Sequence, residues 1–336
     1  MSRKVVIAGN LIVDTIKMIE TYPQKNMLAT ISHIAKSVGG CVPNVAIDLK
    51  KLSPETEILA YGRLGADDNG QYLKEQLEGA GIDISHVVTD RELETSFTDV
   101  MTEQGGARTF FQYRGANARF GEEDIDVDSL EADLFHIGYA LLLDRLDEED
   151  EEYGTRMARL LHAVQRKGIK TSLDVVSEAS ERFKKIVSPA VRYCDYVILN
   201  ESEAGMVVGI EPRNADGTIN LANLEKILRG FLELGVRERV TVHCPEVGVS
   251  MRAGEEMVVV PSLRLPKGYI RGTVGAGDAF CAGVLYSTLY GKTDEEALRI
   301  ASCVAAANLS VPDSVSGATS YEEVMKLETK FGRNDL

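Results

Sequence analysis

Short apolar runs separated by amphipathic stretches recur along this chain, and that alternation limits the possible folds more than any other feature. Val5–Ala8, Glu57–Gly62, Leu134–Gly138, Lys170–Val175, Tyr196–Leu199 and Arg239–His243 each have the length and apolar character of a buried strand. Between them the pattern predicts helices over Pro43–Leu52, over Asn69–Ala80 with a stop at Gly81, over a segment that ends near Pro189, and over Leu221–Leu234. Parallel strands need a crossover connection, so such alternation implies a mostly parallel sheet covered by helices on both faces. Val249–Arg252 and Met257–Val260 follow each other without a helix and read as an antiparallel edge. Ala276–Tyr290 and Asp294–Leu309 are long helical stretches.

Two segments break the rhythm. Met27–Val38 and Thr95–Arg114 are strand-like with no helix between strands, and Gln104-Gly105-Gly106 has the residues of a hairpin turn. Residues 11–40 and 91–120 are expected to form a small β lid over one end of the main domain, which spans 1–336. A lid that excludes water suits a transfer reaction in which water competes as the nucleophile. Six consecutive acids, Asp147–Glu152, are expected to open a helix whose far end carries Arg159, Arg166 and Lys167, with Met157, Leu160, Leu161 and Val164 as its apolar stripe.

Charge excludes one class of partner. With 37 Lys and Arg against 52 Asp and Glu, the chain carries a net −15, and a nucleic-acid partner needs a basic footprint instead. No run of about 18 apolar residues is present, so no membrane span is expected. The apolar run after Met1 is too short for a signal peptide. The five cysteines are scattered without a C-x-x-C pair. Reduced thiols and a cytoplasmic location are the expectation.

The strongest chemical signal is Gly272-Thr273-Val274-Gly275-Ala276-Gly277-Asp278 running into an apolar helix. Small residues leave the amides of Gly275, Ala276 and Gly277 open to a close ligand, and the helix adds its positive end. Together they make an anion hole suited to phosphate. Asp278 would then lie beside a transferring phosphate, placed to take the proton of an attacking hydroxyl. Spacing alone supports equally a glycine-rich helix start with Asp278 as a first-turn carboxylate. There is neither a Walker A loop nor a dinucleotide fingerprint.

With this motif the chain resembles the ribokinase-like, or PfkB-type, carbohydrate kinases. Gly39-Gly40-Cys41-Val42-Pro43-Asn44 resembles that family's first signature and Gly275-Ala276-Gly277-Asp278 its second. The resemblance runs from the opening strand with Asp14 to Ala305–Gly317. It implies a three-layer α/β/α sandwich with a β lid, and ATP-dependent phosphorylation of a sugar hydroxyl. It makes Asp278 the catalytic base, with Gly275, Ala276 and Gly277 as the anion hole. It makes Asp14, Gly39, Gly40 and Asn44 substrate contacts; taken alone, Asp14 reads as a turn residue and Asn44 as a helix cap. Asn200 and Glu203 resemble the family's N-x-x-E motif, which organises Mg²⁺ and phosphate largely through water, and the same pair reads as a capping box. Thr273, His243, Gly248, Asn308 and Gly317 fall on the nucleotide side. Arg114 and Asn117, in a loop after the lid hairpin, fall on the substrate side.

The chain departs from the family at four places. Gly272 stands where many members have an aspartate of a monovalent-cation site, so K⁺ activation is not implied. His243-Cys244-Pro245 replaces the usual T-x-G at the end of a strand and reads as pocket wall. Ile12 replaces an asparagine, and no glutamate stands around His136–Ala140 to match one that binds ribose. These differences favour a ketose or sugar acid over ribose. A nucleoside, with Phe110-Phe111-Gln112-Tyr113 as a wall for its base, is the alternative within the fold. A non-catalytic nucleotide- or sugar-binding regulator is the alternative outside the enzyme class. The expected partners are ATP, Mg²⁺ and a small-molecule sugar, with a second copy of the chain paired through the lid.

Overall fold

The computed structural model describes residues 3–103, 107–178 and 182–335. Among these, nine strands form one sheet in the order Val258–Pro261, Val247–Arg252, Arg239–His243, Tyr196–Asn200, Lys170–Val175, Leu134–Ala140, Lys4–Gly9, Glu57–Gly65 and Asp83–Asp90. All neighbours pair in parallel except at the end formed by Val247–Arg252 and Val258–Pro261, which are antiparallel as expected. The first strand shows why the sheet is a middle layer. Val5, Val6, Ile7 and Ala8 are all fully buried. Val6 and Ala8 join one apolar core, and Val5 and Ile7 the other. Side chains alternate across a strand, so a continuous apolar run needs cover on both faces.

The helices 156–166, 183–191, 201–208 and 221–234 cover one face. Cys41–Leu52, Asp68–Gly79 and Ala276–Leu289 cover the other. Asp294–Asn308 packs behind Ala276–Leu289, where an added Cβ at Gly283 would fall 2.5 Å from the Cα of Ala301. The sandwich read from the alternation is therefore present.

The winding direction reverses at Lys4–Gly9. The chain moves outward to Glu57–Gly65 and Asp83–Asp90, then returns to lay Leu134–Ala140 on the other side of the first strand. The carboxyl ends of strands at such a reversal leave a crevice where ligands bind in doubly wound sheets.

The lid is a separate four-stranded sheet in the order Ile31–Gly39, Ile12–Ile19, Phe97–Glu103, Arg108–Tyr113. Only Asn10 and Leu11 separate its strand Ile12–Ile19 from the first strand of the main sheet, so the lid is hung directly over the crevice. The hairpin turn at Gln104-Gly105-Gly106 lies outside the described residues.

One local expectation is corrected and one strand is added. The acids at 147–152 do not open a helix. Glu149–Asp150 pairs with Gly154–Thr155 as a short ribbon, and Asp150 Oδ1 accepts the N–H groups of Glu152 and Tyr153. An aspartate that closes its own turn in this way competes with helix formation. The helix Arg156–Arg166 starts instead at Thr155, whose hydroxyl accepts from the Ala158 amide at 3.2 Å. The edge strand Asp83–Asp90, largely exposed, carries too few buried apolar residues to register as a strand in the sequence. The helix near Pro189 runs on to Val191.

Candidate active site

Asp278 stands in the first turn of Ala276–Leu289 and is buried. That helix is apolar nearly all round, so it seats in the core and delivers its amino end to the crevice. Gly275 precedes it with φ +74°, a left-handed conformation that costs a residue with a side chain. No side chain caps the first-turn amides. Two cavities meet here. One, of about 560 Å³, is bounded by the lid and the crevice and includes Asp14, Asn44, Arg114, Tyr139 and Asp278. The other, of about 600 Å³, includes Thr273, Phe280, Ala305, Ala306 and Ile270. Gly277, His243, Asn200 and Ser177 border both. A Cβ at Gly277 would meet nothing but the His243 ring, at 3.5 Å. The open amides therefore lie where the two cavities join.

The Asp278 carboxylate is held by two donors. Tyr139 donates its hydroxyl to Oδ1 at 2.7 Å, and Asn44 donates Nδ2 to Oδ2 at 2.9 Å. Asn44 is thus not a helix cap: Gly40 takes the cap position, and Asn44 turns its amide across to a residue 234 positions away. Its Oδ1 has no partner among the described residues. Burial, then the charge of Asp174, push the Asp278 carboxyl up to about 7, against the opposing hydrogen bonds.

Asp14 lines the same cavity, and desolvation raises it to about 7, opposed by a bond from Thr98 and assisted by the Asp278 charge. Gly39 is what admits it: a Cβ there would fall 2.5 Å from Asp14 Oδ2. Gly40 lines the cavity directly. Arg114 reaches the cavity from the lid side, with Nη1 donating to Leu141 O at 3.1 Å and Nη2 to Glu178 Oε2 at 3.4 Å. Asn117 does not face the cavity. It is fully buried and clamps the Leu11 backbone, Oδ1 accepting from N at 3.2 Å and Nδ2 donating to O at 3.0 Å. It fixes the junction between the first strand and the lid.

Asn200 and Glu203 form the capping box: Asn200 Oδ1 accepts from the Glu203 amide and Glu203 Oε2 from the Asn200 amide. Glu203 Oε1 also accepts from Ser177 Oγ at 2.7 Å. Burial raises Glu203 to about 7. His243 packs on Phe280 at 4.7 Å between ring centres, and burial lowers it to about 4, so it is a neutral wall. Three residues assigned to the nucleotide side stand behind the second cavity. Gly248 leaves room for Leu298 and Phe280, Gly317 packs against Ala307 O, and Asn308 Nδ2 donates to Ser314 O. Position 272 also packs closely, since a Cβ there would fall 2.7 Å from Val311 O.

Sequence reasoning missed Tyr139 and Asp174. Each lies at a strand end with no motif around it, and only the bond to Asp278 and the shared cavity mark them.

Comparison with known proteins agrees with this geometry. The Arabidopsis thaliana ribokinase is 25% identical over 324 residues, covering 96% of this chain and 80% of that protein. The structure of Arabidopsis thaliana ribokinase complexed with ribose and ATP superposes with a TM-score of 0.79 at 23% identity, covering 97% and 99% of the two chains. The Methanocaldococcus jannaschii nucleoside kinase gives 0.75 at 17% identity, covering 98% of each. Residues 2–320 match the family described as pfkB family carbohydrate kinase. With that match and the two-cavity site beneath a β lid, the chain belongs to the pfkB family of carbohydrate kinases.

Proposed function

We propose that this kinase transfers the γ-phosphate of ATP to a hydroxyl of a ketose or sugar acid, with Asp278 as the base. The meeting of two cavities at Asp278 and the uncapped amides carries the reading. The cavity beneath the lid takes the sugar: Asp14 and Asn44 offer an acceptor and a mixed donor–acceptor to hydroxyls, and Arg114 offers a cation to an acidic substituent. The second cavity, walled by Phe280, Ala305, Ala306 and Ile270, takes the adenine end of ATP. The triphosphate then runs past Gly277 to the amides of 275–277, which stabilise charge as it develops on the transferring group. Asp278, ionised, orients the attacking hydroxyl and accepts its proton. The lid sheet closes over the sugar and excludes water.

Mg²⁺ fits this site through water. Both Glu203 oxygens already accept hydrogen bonds, and Mg²⁺ keeps several waters and takes few protein ligands. Glu203 and Asn200 would anchor those waters. Bound with ATP, the ion neutralises phosphate charge.

The substrate test is ADP release with Mg-ATP over fructose, tagatose, 2-keto-3-deoxygluconate, ribose, inositol and common nucleosides. A ketose or sugar acid should give the highest kcat/KM. A nucleoside preferred by tenfold or more, roughly the 1.4 kcal/mol of one good contact, would instead assign the exposed Phe110 and Phe111 to a base-binding wall.

The pH dependence follows from the carboxyl of Asp278 near 7. The base acts in its ionised form, so kcat/KM should fall as pH drops through about 7. Tyr139→Phe removes a donor that favours the charged form. The inflection should move to higher pH in that variant, and a profile that stays in place would remove Tyr139 from this role.

We also propose a homodimer through the lid. Leu28, Ile34, Phe110 and Phe111 are exposed on or beside that sheet, and its outer strands leave edges unpaired among the described residues. Light scattering should give twice the chain mass, and Ile34→Asp should halve it.

A further inference from the structure

Four side chains gather behind Asp278 without a hydrogen bond to it, which Tyr139 and Asn44 supply. Cys41 opens the helix Cys41–Leu52, His136 lies within Leu134–Ala140, Asp174 near the end of Lys170–Val175, and Cys281 early in Ala276–Leu289. One ligand atom each from Cys41, His136 and Asp174 lies within 4.8 Å of the others, and all three residues are buried. His136 Nδ1 stands 3.0 Å from Ser172 Oγ. With Nδ1–H donating to that hydroxyl, Nε2 keeps its lone pair. Nε2 faces Asp174 Oδ2 at 3.6 Å, too long for a hydrogen bond, and forms a weak hydrogen bond with the Cys281 thiol, its Sγ also at 3.6 Å. Asp174 Oδ1 has no hydrogen-bond partner among the described residues, although only 7% of the residue is exposed. A buried carboxylate oxygen left in that state is costly unless a donor or a cation meets it. The backbone makes the room: a Cβ at Gly138 would fall 1.8 Å from Asp174 Oδ1 and 2.8 Å from Cys41 Sγ.

We propose that Cys41, His136 and Asp174 bind one divalent cation of the zinc type, with Cys281, which stands outside that three-residue cluster but 3.6 Å from His136 Nε2, moving in as the fourth ligand. Zinc bonds of about 2.3 Å to sulfur and about 2.0–2.1 Å to nitrogen or oxygen place tetrahedral ligand atoms roughly 3.3–3.8 Å apart. The two 3.6 Å separations at Nε2 match those edges. Thiolate and imidazole donors select zinc over the hard Mg²⁺ that accompanies ATP. Ser172 is the outer partner that fixes the imidazole tautomer, as metal-bound histidines require. On binding, each coordinating thiol gives its proton to water as its sulfur–metal bond forms. With the Cys41 thiolate and the Asp174 carboxylate the ion is neutralised; the Cys281 thiolate adds one negative charge. Asp174 and Cys281 border the cavity beneath the lid, so the ion has a path from solvent. The site ties four elements together directly beneath the catalytic carboxylate.

The test does not depend on turnover. Protein purified after growth with zinc should carry about one zinc per chain, the stoichiometry of a single four-ligand site. Cobalt(II) added to the stripped protein should give the sulfur-to-cobalt absorption and the intense visible bands of a tetrahedral site, both abolished by one equivalent of zinc. Cys41→Ala with Cys281→Ala should lose both signals while keeping its circular dichroism. Cys303→Ala, in a separate core cluster, should keep both. Wild-type protein with no bound zinc and no cobalt absorption in excess metal overturns the proposal, as does a Cys41–Cys281 disulfide found by mass after alkylation. Should the double variant not fold, the wild-type cobalt spectrum decides alone.

Discussion

Asp278→Asn should lower kcat by about 10²–10⁴-fold, the range general-base removal gives, and leave the Kd for ATP within about twofold, a change of roughly 0.4 kcal/mol. The substitution is nearly isosteric, and the surroundings can absorb it. Tyr139 and Asn44 both donate to the carboxylate. Asn44 has an unpartnered Oδ1, so rotation of its amide would let that oxygen accept from the new side-chain NH₂. The lost rate would therefore report lost basicity rather than a collapsed pocket. Single-turnover ADP formation gives the rate, and calorimetry with a non-hydrolysable ATP analogue gives the affinity. Turnover within tenfold of the parent would refute the assignment. So would an ATP affinity that falls in step with kcat, since the carboxylate would then be a nucleotide contact.

Gly275→Ala should lower kcat by about 10²–10³-fold, the cost of misplacing a donor that meets developing charge. It should also lower Tm by roughly 2–4 °C, for a left-handed penalty of about 1–2 kcal/mol. The new Cβ would stand 2.6 Å from Ser314 O and 2.7 Å from Ser314 Cβ. Either the loop that carries Ser314 or the helix start must move, and the amides move with the helix start. Gly277→Ala is the paired control for stability. Its Cβ would meet only the His243 ring at 3.5 Å, so Tm should stay at the parental value and the effect should appear in KM for ATP. A Gly275→Ala enzyme with parental kcat and lowered Tm would mean that Gly275 serves the turn alone.

Some of this site could be read from local spacing because its cause is local. The capping box at Asn200 and Glu203 spans three residues, and the structure forms it as read. The helix after Gly275 begins where the small residues end. The alternation of apolar runs called for two covered faces, and the first strand divides its side chains between two cores.

Other readings failed where a competing local bond or a distant partner intervened. The acids at 147–152 satisfied a helix-dipole argument, yet Asp150 spends its carboxylate on its own turn. Asn117 sits in a loop with the composition of a binding segment, yet both ends of its amide are taken by Leu11, 106 residues away. Asn44 reads locally as a cap, and its real partner is 234 residues off.

The sequence by itself determined the layered α/β architecture, the helix start that offers open amides, and Asp278 as its first-turn carboxylate. Periodicity, capping and turn chemistry act over a few residues and leave their mark in spacing. Only the tertiary structure decided that Tyr139 and Asn44 hold Asp278, that Asp174 faces it, and that His136, Cys41 and Cys281 gather behind it. Those contacts join the ends of strands and helices far apart in the chain. The charge state of Asp278 depends on desolvation and on a neighbouring carboxylate, which are properties of a closed three-dimensional volume and not of any stretch of sequence.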